Sequence, residues 1–320
     1  MIVRFGYVSM SVIVENASPS KTMTATHFQK IPDREAAIRK LERIAEQNLH
    51  NTLRLLKHNR AHDIHMYRFS SKLIPLLTHD ILRTWDPFPT LKPAFKAVGD
   101  YVKEHKMRVS FHPDHFTVFS TPREEVLKNS IYDLEQHVNM LEAMELDARA
   151  KCNIHIGGTY GNKEESLQRF LKQFGALPTR IKQRMTLEND DKTFTSRETL
   201  TACEACNVPM VLDIHHHWVN DGGDDMTALW PSIVQTWKEE EIPPKIHVSS
   251  PKNEKNPRSH ADFVEVTFLL AFLRAIAPST ERLDVMIEAK KKDEALFKLM
   301  SDLEGMEGVE TLDQSTIRIG

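Results

Sequence analysis

The sequence predicts one domain, a closed (β/α)8 barrel of parallel strands with helices outside it. Three observations predict this. Eight short β-branched or apolar runs recur over the 320 residues; a longer stretch with helical spacing follows each; and no Gly-x-Gly-x-x-Gly turn follows the first run. Strand then helix, repeated, is the pattern of a parallel sheet with crossover helices. Eight repeats favour closure into a barrel over an open doubly wound sheet.

The series opens with a strand at Val3–Val8, followed by a helix over Arg34–Lys57 with Ala37, Ile38, Leu41, Ile44, Ala45, Leu49, Leu53 and Leu56 on one face. The next strand–helix pairs are Ile64–Phe69 with Ala94–Glu104, Met107–Phe111 with Arg123–Leu141, and Lys151–Ile156 with Glu164–Phe174. Arg184–Leu187 with Ser196–Cys206, Val208–Asp213 with Met226–Trp237, Lys245–Val248 with Asp262–Ile276, and Asp284–Glu288 with Lys292–Leu303 complete it. Pro113, Gly157, Gly158, Pro209, Pro243 and Pro244 mark joints, and Asn16–Thr26 and Pro251–Pro257 read as loops. No linker, repeat or low-complexity tract divides residues 1–320.

Composition narrows the function. Lys plus Arg (42) against Asp plus Glu (45) leaves a formal charge of −3, so a polyanion would have to be held by local groups rather than by a cationic coat. Forty per cent hydrophobic and 27% charged residues give a globular chain with enough apolar material for a sizeable core. Three cysteines cannot staple a fold of this size, and MIVRFGYVSM lacks the layout of a signal peptide. Val266–Ala277, the most apolar stretch, is broken by Arg274 and is well short of the ~20 residues that cross a bilayer. A soluble, reduced, cytoplasmic setting is expected, with no membrane partner. Histidine is the outlier, at 16 residues.

Those histidines cluster at the predicted strand ends. The third strand ends in Phe111-His112-Pro113, the fourth in Ile154-His155, the fifth in Leu187-Glu188 and the sixth in Asp213-Ile214-His215-His216-His217. The seventh carries Lys245-Ile246-His247 and the eighth ends in Ile287-Glu288. In a parallel barrel all C-terminal strand ends meet on one face. Imidazoles and carboxylates gathered there form a coordination shell for divalent cations, whereas carboxylates packed without a cation would repel one another. Any one of these residues could be an ordinary loop histidine, a helix cap or a solvated strand end. Six at the same structural phase outweigh that reading.

Lys245 is the odd member. Strand alternation puts it on the same face as His247, where a free ammonium would be repelled by cations and burdened by burial. At the start of a strand it could instead snorkel outward. Cys203 and Cys206 lie within a helical stripe and read as two small helix residues. Lys252, Lys255 and Arg258, and Lys290 to Lys292, read as solvated charge clusters, although beside metal-rich strand ends they could meet phosphates. His115 and Phe116 form a candidate exposed imidazole–aromatic pair, and Tyr7 is expected on the same rim.

FHP followed by an aromatic-bearing loop, NIHIGGTYGNK, LENDDKT, the Asp213–His216 pair, KIHVSS with RSH downstream, and MIEAK together resemble the UV damage endonuclease family, whose metal barrel is similar to that of endonuclease IV. The resemblance runs in order from RFGYVS to MIEAK. It implies a DNA-repair enzyme acting on UV-damaged duplex DNA. Such an enzyme nicks 5′ to cyclobutane pyrimidine dimers and 6-4 photoproducts, leaving a 3′-hydroxyl and a 5′-phosphate. It implies three divalent ions, Mn²⁺ ahead of Zn²⁺, Co²⁺ or Mg²⁺. His112, His155 and Glu188 would hold the first; Glu188 would bridge to a second held also by Asp213, His247 and Glu288. His216 and His260 would hold the third with Lys245, which the resemblance implies is carboxylated on its amine.

Glu188, Lys245 and His79, the last beside the scissile phosphate, would then be catalytic. His115 and Phe116 would wedge into the helix beside the lesion, with Tyr7, Tyr160 and Lys163 on the DNA-facing rim. The chain departs from some relatives in carrying His115 where they have an amide and Ser11 where they have an Asn. It is expected to act as a monomer. Two other readings compete: a metal-dependent sugar isomerase on a similar barrel, and a DNA-damage binding module with structural metals. The second sits poorly with the donors, since structural zinc sites are usually closed and Cys-rich.

Overall fold

In a computed structural model that describes residues 1–320, the eight runs pair side by side as parallel strands. They are β1 (Ile2–Val8), β2 (Met66–Arg68), β3 (Arg108–Phe111), β4 (Lys151–His155), β5 (Met185–Glu188), β6 (Met210–Asp213), β7 (Lys245–Val248) and β8 (Arg282–Ile287). The order runs β2 through β8 to β1, and β1 pairs back onto β2, closing a (β/α)8 barrel. The helices are α1 (Arg34–Ala61), α2 (Phe88–Glu104), α3 (Glu124–Ala143), α4 (Lys163–Gly175), α5 (Ser196–Cys206), α6 (Met226–Gln235), α7 (Val266–Ile276) and α8 (Lys292–Leu303), one after each strand. No helix is long and apolar enough to cross a membrane.

The helices begin where side chains can satisfy their free N–H groups. Asp33, Asn162, Thr195, Asp225 and Glu265 accept from the first turns of α1, α4, α5, α6 and α7. The second helix begins six residues earlier than predicted. It starts at Phe88 with Pro89 in its first turn and keeps Pro93 inside.

Strand alternation divides the residues between two environments. Val3, Phe5, Tyr7, Tyr67, Phe111, Ile154, Leu187, Leu212, Ile246 and Val285 face the helices and are almost fully buried in the main apolar cluster. The opposite faces fill the barrel, and most of that filling is polar. Arg4, Arg108 and Asp284 meet near the N-terminal end, and Ser110, Asn153, Thr186 and Lys245 lie above them. Val8, Met66 and Met286 form a small apolar cluster. Gly6 is needed at the seam, because a Cβ there would stand 2.3 Å from the Met66 carbonyl oxygen.

Two further strands, β9 (Val309–Asp313) and β10 (Thr316–Ile319), form an antiparallel hairpin not anticipated from sequence. Strand β10 pairs with Ile2–Arg4 of β1, while β2 pairs only with Tyr7 and Val8. The hairpin thus occupies the N-terminal part of the seam, and Ser315 Oγ donates to the Asp63 carbonyl at 2.7 Å. The barrel is closed by direct pairing at the end that carries the histidines.

Candidate metal centre

The C-terminal mouth brings the predicted donors together around Glu188. One ligand atom each from His112, His155 and Glu188 lie within 4.8 Å of one another, and the same holds for Glu188, Asp213, His247 and Glu288. These are the first two sets expected, and Glu188 belongs to both. His112 Nε2 is 3.2 Å from Glu188 Oε2, and His247 Nδ1 is 3.1 Å from Glu188 Oε2 and 3.0 Å from Glu288 Oε1. The third set is more open. The His216 and His260 rings stand 6.4 Å apart, and Lys245 lies deeper in the barrel, its Nζ 3.4 Å from Ser110 Oγ.

The imidazoles are held in one orientation. His112, His155, His216 and His260 each turn Nδ1 to a backbone carbonyl, those of Pro113, Glu188, Asn189 and Glu288, at 2.9, 3.1, 3.0 and 2.9 Å. Donation from Nδ1 sets the orientation of each ring, and with a cation bound Nε2 would be the ligating atom. Asp213 divides its oxygens in the same way. Oδ1 accepts from the His216 N–H at 2.8 Å, capping the short helix Ile214–Val219, while Oδ2 is buried without a partner. Glu188 Oε1 and both ring nitrogens of His247 are buried without well-aligned partners as well. Buried polar atoms left unmet are costly, and here they converge, so the donor set fits divalent cations.

The electrostatics agree. Burial alone would push the Glu188 carboxyl up, but His247 and His155 nearby and hydrogen bonds from His112 and His216 outweigh it and hold the group well below the usual carboxylate range. Burial pushes the Lys245 amine down, and Arg108 and Arg68 push it further, to about 7.

Some expected residues lie elsewhere. Tyr7 is not on the rim: it is fully buried, and its hydroxyl donates to Asn59 Oδ1 on α1 at 2.6 Å. The reason is parity. Arg4 points into the barrel to Asp284, so Tyr7, three positions on, points out toward the helices. His79 is exposed, and its Nδ1 accepts from the Ile81 N–H at 3.3 Å, capping the turn Asp80–Leu82. His115 and Phe116 do form an exposed pair, with ring centroids 4.0 Å apart and Phe116 73% accessible. Tyr160 is exposed on a left-handed backbone (φ 47°), and Lys163 pairs with Glu198 at 2.7 Å.

Sequence reasoning missed the groups that hold the donors. Arg68, at the end of β2, forms an ion pair with Glu288. Asn153 donates to Glu188 and accepts from Thr186 at 2.7 Å. Asn189 bridges to the backbone of Asp213 in both directions, at 2.9 and 3.0 Å. Their signal was the same strand phase, two residues before a donor for Asn153 and at a strand end for Arg68. Two adjoining clefts of about 500 and 440 Å³ open here and share Pro113, Asp114, His115, His155 and His216.

Comparison with known proteins agrees with this geometry. The family model described as UV-endonuclease UvdE matches residues 3–319. The UV DNA damage endonuclease of Bacillus pumilus is 46% identical over 317 residues, covering 98% of each chain. Among solved structures, SacUVDE superposes with a TM-score of 0.82 at 29% identity, over 94% of this chain and 98% of its own. Endonuclease IV from Thermus thermophilus gives 0.56 at 13% identity, over 94% and 99% of the two chains, a likeness of fold.

Proposed function

This chain belongs to the UV-endonuclease UvdE family, and on that premise we propose that it nicks duplex DNA 5′ to UV photoproducts by hydrolysis assisted by several divalent cations. It is a DNA-repair endonuclease. The observation that carries the finer reading is the pair of compact donor sets sharing Glu188.

His112, His155 and Glu188 would hold one cation, and Glu188, Asp213, His247 and Glu288 a second. His216 and His260 would hold a third with Lys245 carboxylated on its amine, and Mn²⁺ is the expected metal. When bound, such ions supply Lewis acidity toward phosphate oxygens and toward an attacking water. The residues of the chain do the rest. Asn153 and the imidazoles orient Glu188, Arg68 steadies Glu288, and four backbone carbonyls set the ring orientations. Carboxylation needs a neutral amine, and burial together with Arg108 and Arg68 lowers the Lys245 amine toward that form. The amine adds to carbon dioxide and releases a proton, turning a repelled cation into an anionic ligand. The exposed His115–Phe116 pair suits a wedge beside a lesion, because damaged bases unstack at lower cost.

A plasmid irradiated with UV light should be nicked in the presence of Mn²⁺, while unirradiated plasmid is largely spared and chelation stops the reaction. Interconversion of an aldose with irradiated DNA left intact would favour the isomerase. Tight lesion binding with no nick under any metal would favour the binding module.

A further inference from the structure

The cleft beside the donors carries one charge pair that the proposed chemistry leaves unused. Arg258 comes from the loop after β7 and Asp191 from the loop after β5, 67 residues apart in sequence. Arg258 Nε donates to Asp191 Oδ2 at 2.6 Å and Nη2 donates to Oδ1 at 3.1 Å. The carboxylate therefore occupies one edge of the guanidinium and leaves Nη1 with no protein acceptor. The side chain is half exposed, and it lines the cleft together with His155, His216 and His260.

A guanidinium fixed on one edge presents its other donors in a set direction, which suits the oxygens of a phosphate. The surroundings call for such a group. The chain carries a net −3, and this cleft also contains Asp114, Asp190 and Asp191. A polyanion cannot be drawn there by the overall field. Asp190 is engaged by the backbone N–H groups of Lys192 and Phe194, and Asp191 by Arg258 itself. Lys192 also lines the cleft but is exposed, with no side-chain partner to fix its direction.

We infer that Arg258 binds a backbone phosphate of the duplex flanking the bond that is cut, with the Asp191 carboxylate against its other edge. The inference deepens the endonuclease reading and rests on it. A phosphate contact carries no sequence or lesion information, so its loss weakens binding to damaged and undamaged duplex alike.

The test is equilibrium binding of Mn²⁺-loaded protein to irradiated and unirradiated duplexes of one length across a salt series, with nicking followed in parallel. Arg258→Gln should weaken both affinities by about tenfold and reduce the slope of log K against log salt by about 0.9, the share of one phosphate contact on duplex DNA. Manganese bound per chain should match the wild type. Asp191→Asn separates a DNA contact from a mere tie between loops. It removes an anion beside the phosphate and keeps the cation, so affinity should hold or rise. Equal losses of affinity in the two variants would overturn the inference, as would an Arg258→Gln protein with unchanged affinity and slope. If the wild type nicks irradiated duplex while Arg258→Gln behaves identically, this inference alone fails. If the wild type binds no duplex, the endonuclease reading fails with it.

Discussion

Two buried carboxylates inside the barrel, Asp284 low in the interior and Glu188 at the mouth, have opposite surroundings. Asp284 accepts from Arg4 Nε and Nη2, both at 2.8 Å, and from Arg108 Nη1 at 2.6 Å. Glu188 accepts on Oε2 from Asn153 and His112, while its Oε1 is buried with only a long, poorly aligned approach from His216 Nδ1 at 3.4 Å. The first carboxylate is satisfied within the protein and ties β1, β3 and β8 together. The second leaves an acceptor unmet at a place where three other donor atoms converge. Burial and charge are the same in the two cases. Partnership separates a structural acid from one arranged for a ligand.

The largest effect expected from this contrast is on Glu188. Glu188→Gln keeps the shape and removes the charge shared by both donor sets. Nicking of irradiated plasmid should fall at least about a thousandfold, on the scale of losing a principal electrostatic group. Lesion binding should change little, because the exposed His115–Phe116 pair is untouched. Retained cleavage would remove the bridging role and dissolve the contrast. Asp284→Asn should do the reverse. It strands Arg108, whose guanidinium is buried, and should cost about 3–5 kcal/mol of stability in denaturant melts. Nicking per folded molecule should be largely kept.

Acid sharpens the same comparison. Burial would push the Asp284 carboxyl up, but Arg108 and Arg4 outweigh it and hold it below its ordinary value. A carboxyl whose folded value is depressed contributes stability that is fully present above its unfolded value near 4 and is lost as pH falls through the folded value. Stability of the wild type should therefore drop on acidification below about pH 4 more steeply than that of Asp284→Asn. Equal acid limbs for the two proteins would mean that Asp284 is not held as an ion pair.

What the sequence made legible follows from the same physics. Strand ends carrying His or Glu stood out because a polar residue closing an apolar run is unusual, and the (β/α)8 order put those ends on one face. The supporting groups did not stand out. Arg68 and Asn153 are polar residues within short strands and carry no ligand signature by type. Tyr7 was misplaced although parity could have located it: the alternation that put Lys245 beside His247, applied to Arg4, turns Tyr7 outward. The hairpin of β9 and β10 was missed because VETLD and TIRI are short and lack an apolar run. Its pairing depends on a seam in the barrel that no local pattern reveals. The first turns of α2 fall outside the Ala94–Glu104 stripe because they carry Pro89 and Pro93, which a helix rarely holds.

On the rim, the comparison becomes one between an exposed aromatic and an exposed ion pair. Replacing His115 and Phe116 together with Ala should weaken binding to irradiated duplex by an amount typical of lost base stacking, about 1–3 kcal/mol per base. Both side chains are exposed, and thermal stability should hardly move. Unchanged lesion affinity would return the pair to ordinary loop packing.

Lys163 sets the smallest expectation. Its pairing with Glu198 is 2.7 Å long, but the two side chains are 39% and 34% accessible, so the bridge is worth at most about 1 kcal/mol. Glu198 has a stronger engagement of its own, accepting from the Thr195 N–H at 2.8 Å in the box that caps α5. Lys163→Ala should therefore leave the melting temperature within a degree or two, on the scale of ~0.5 kcal/mol for a chain of this size. If the rim placement of Lys163 is right, the variant should still lose a fraction of one phosphate contact, seen as a shallower salt dependence of duplex binding. A loss of stability with no change in that slope would make Lys163 a tie between α4 and α5 and remove it from the proposed DNA contacts.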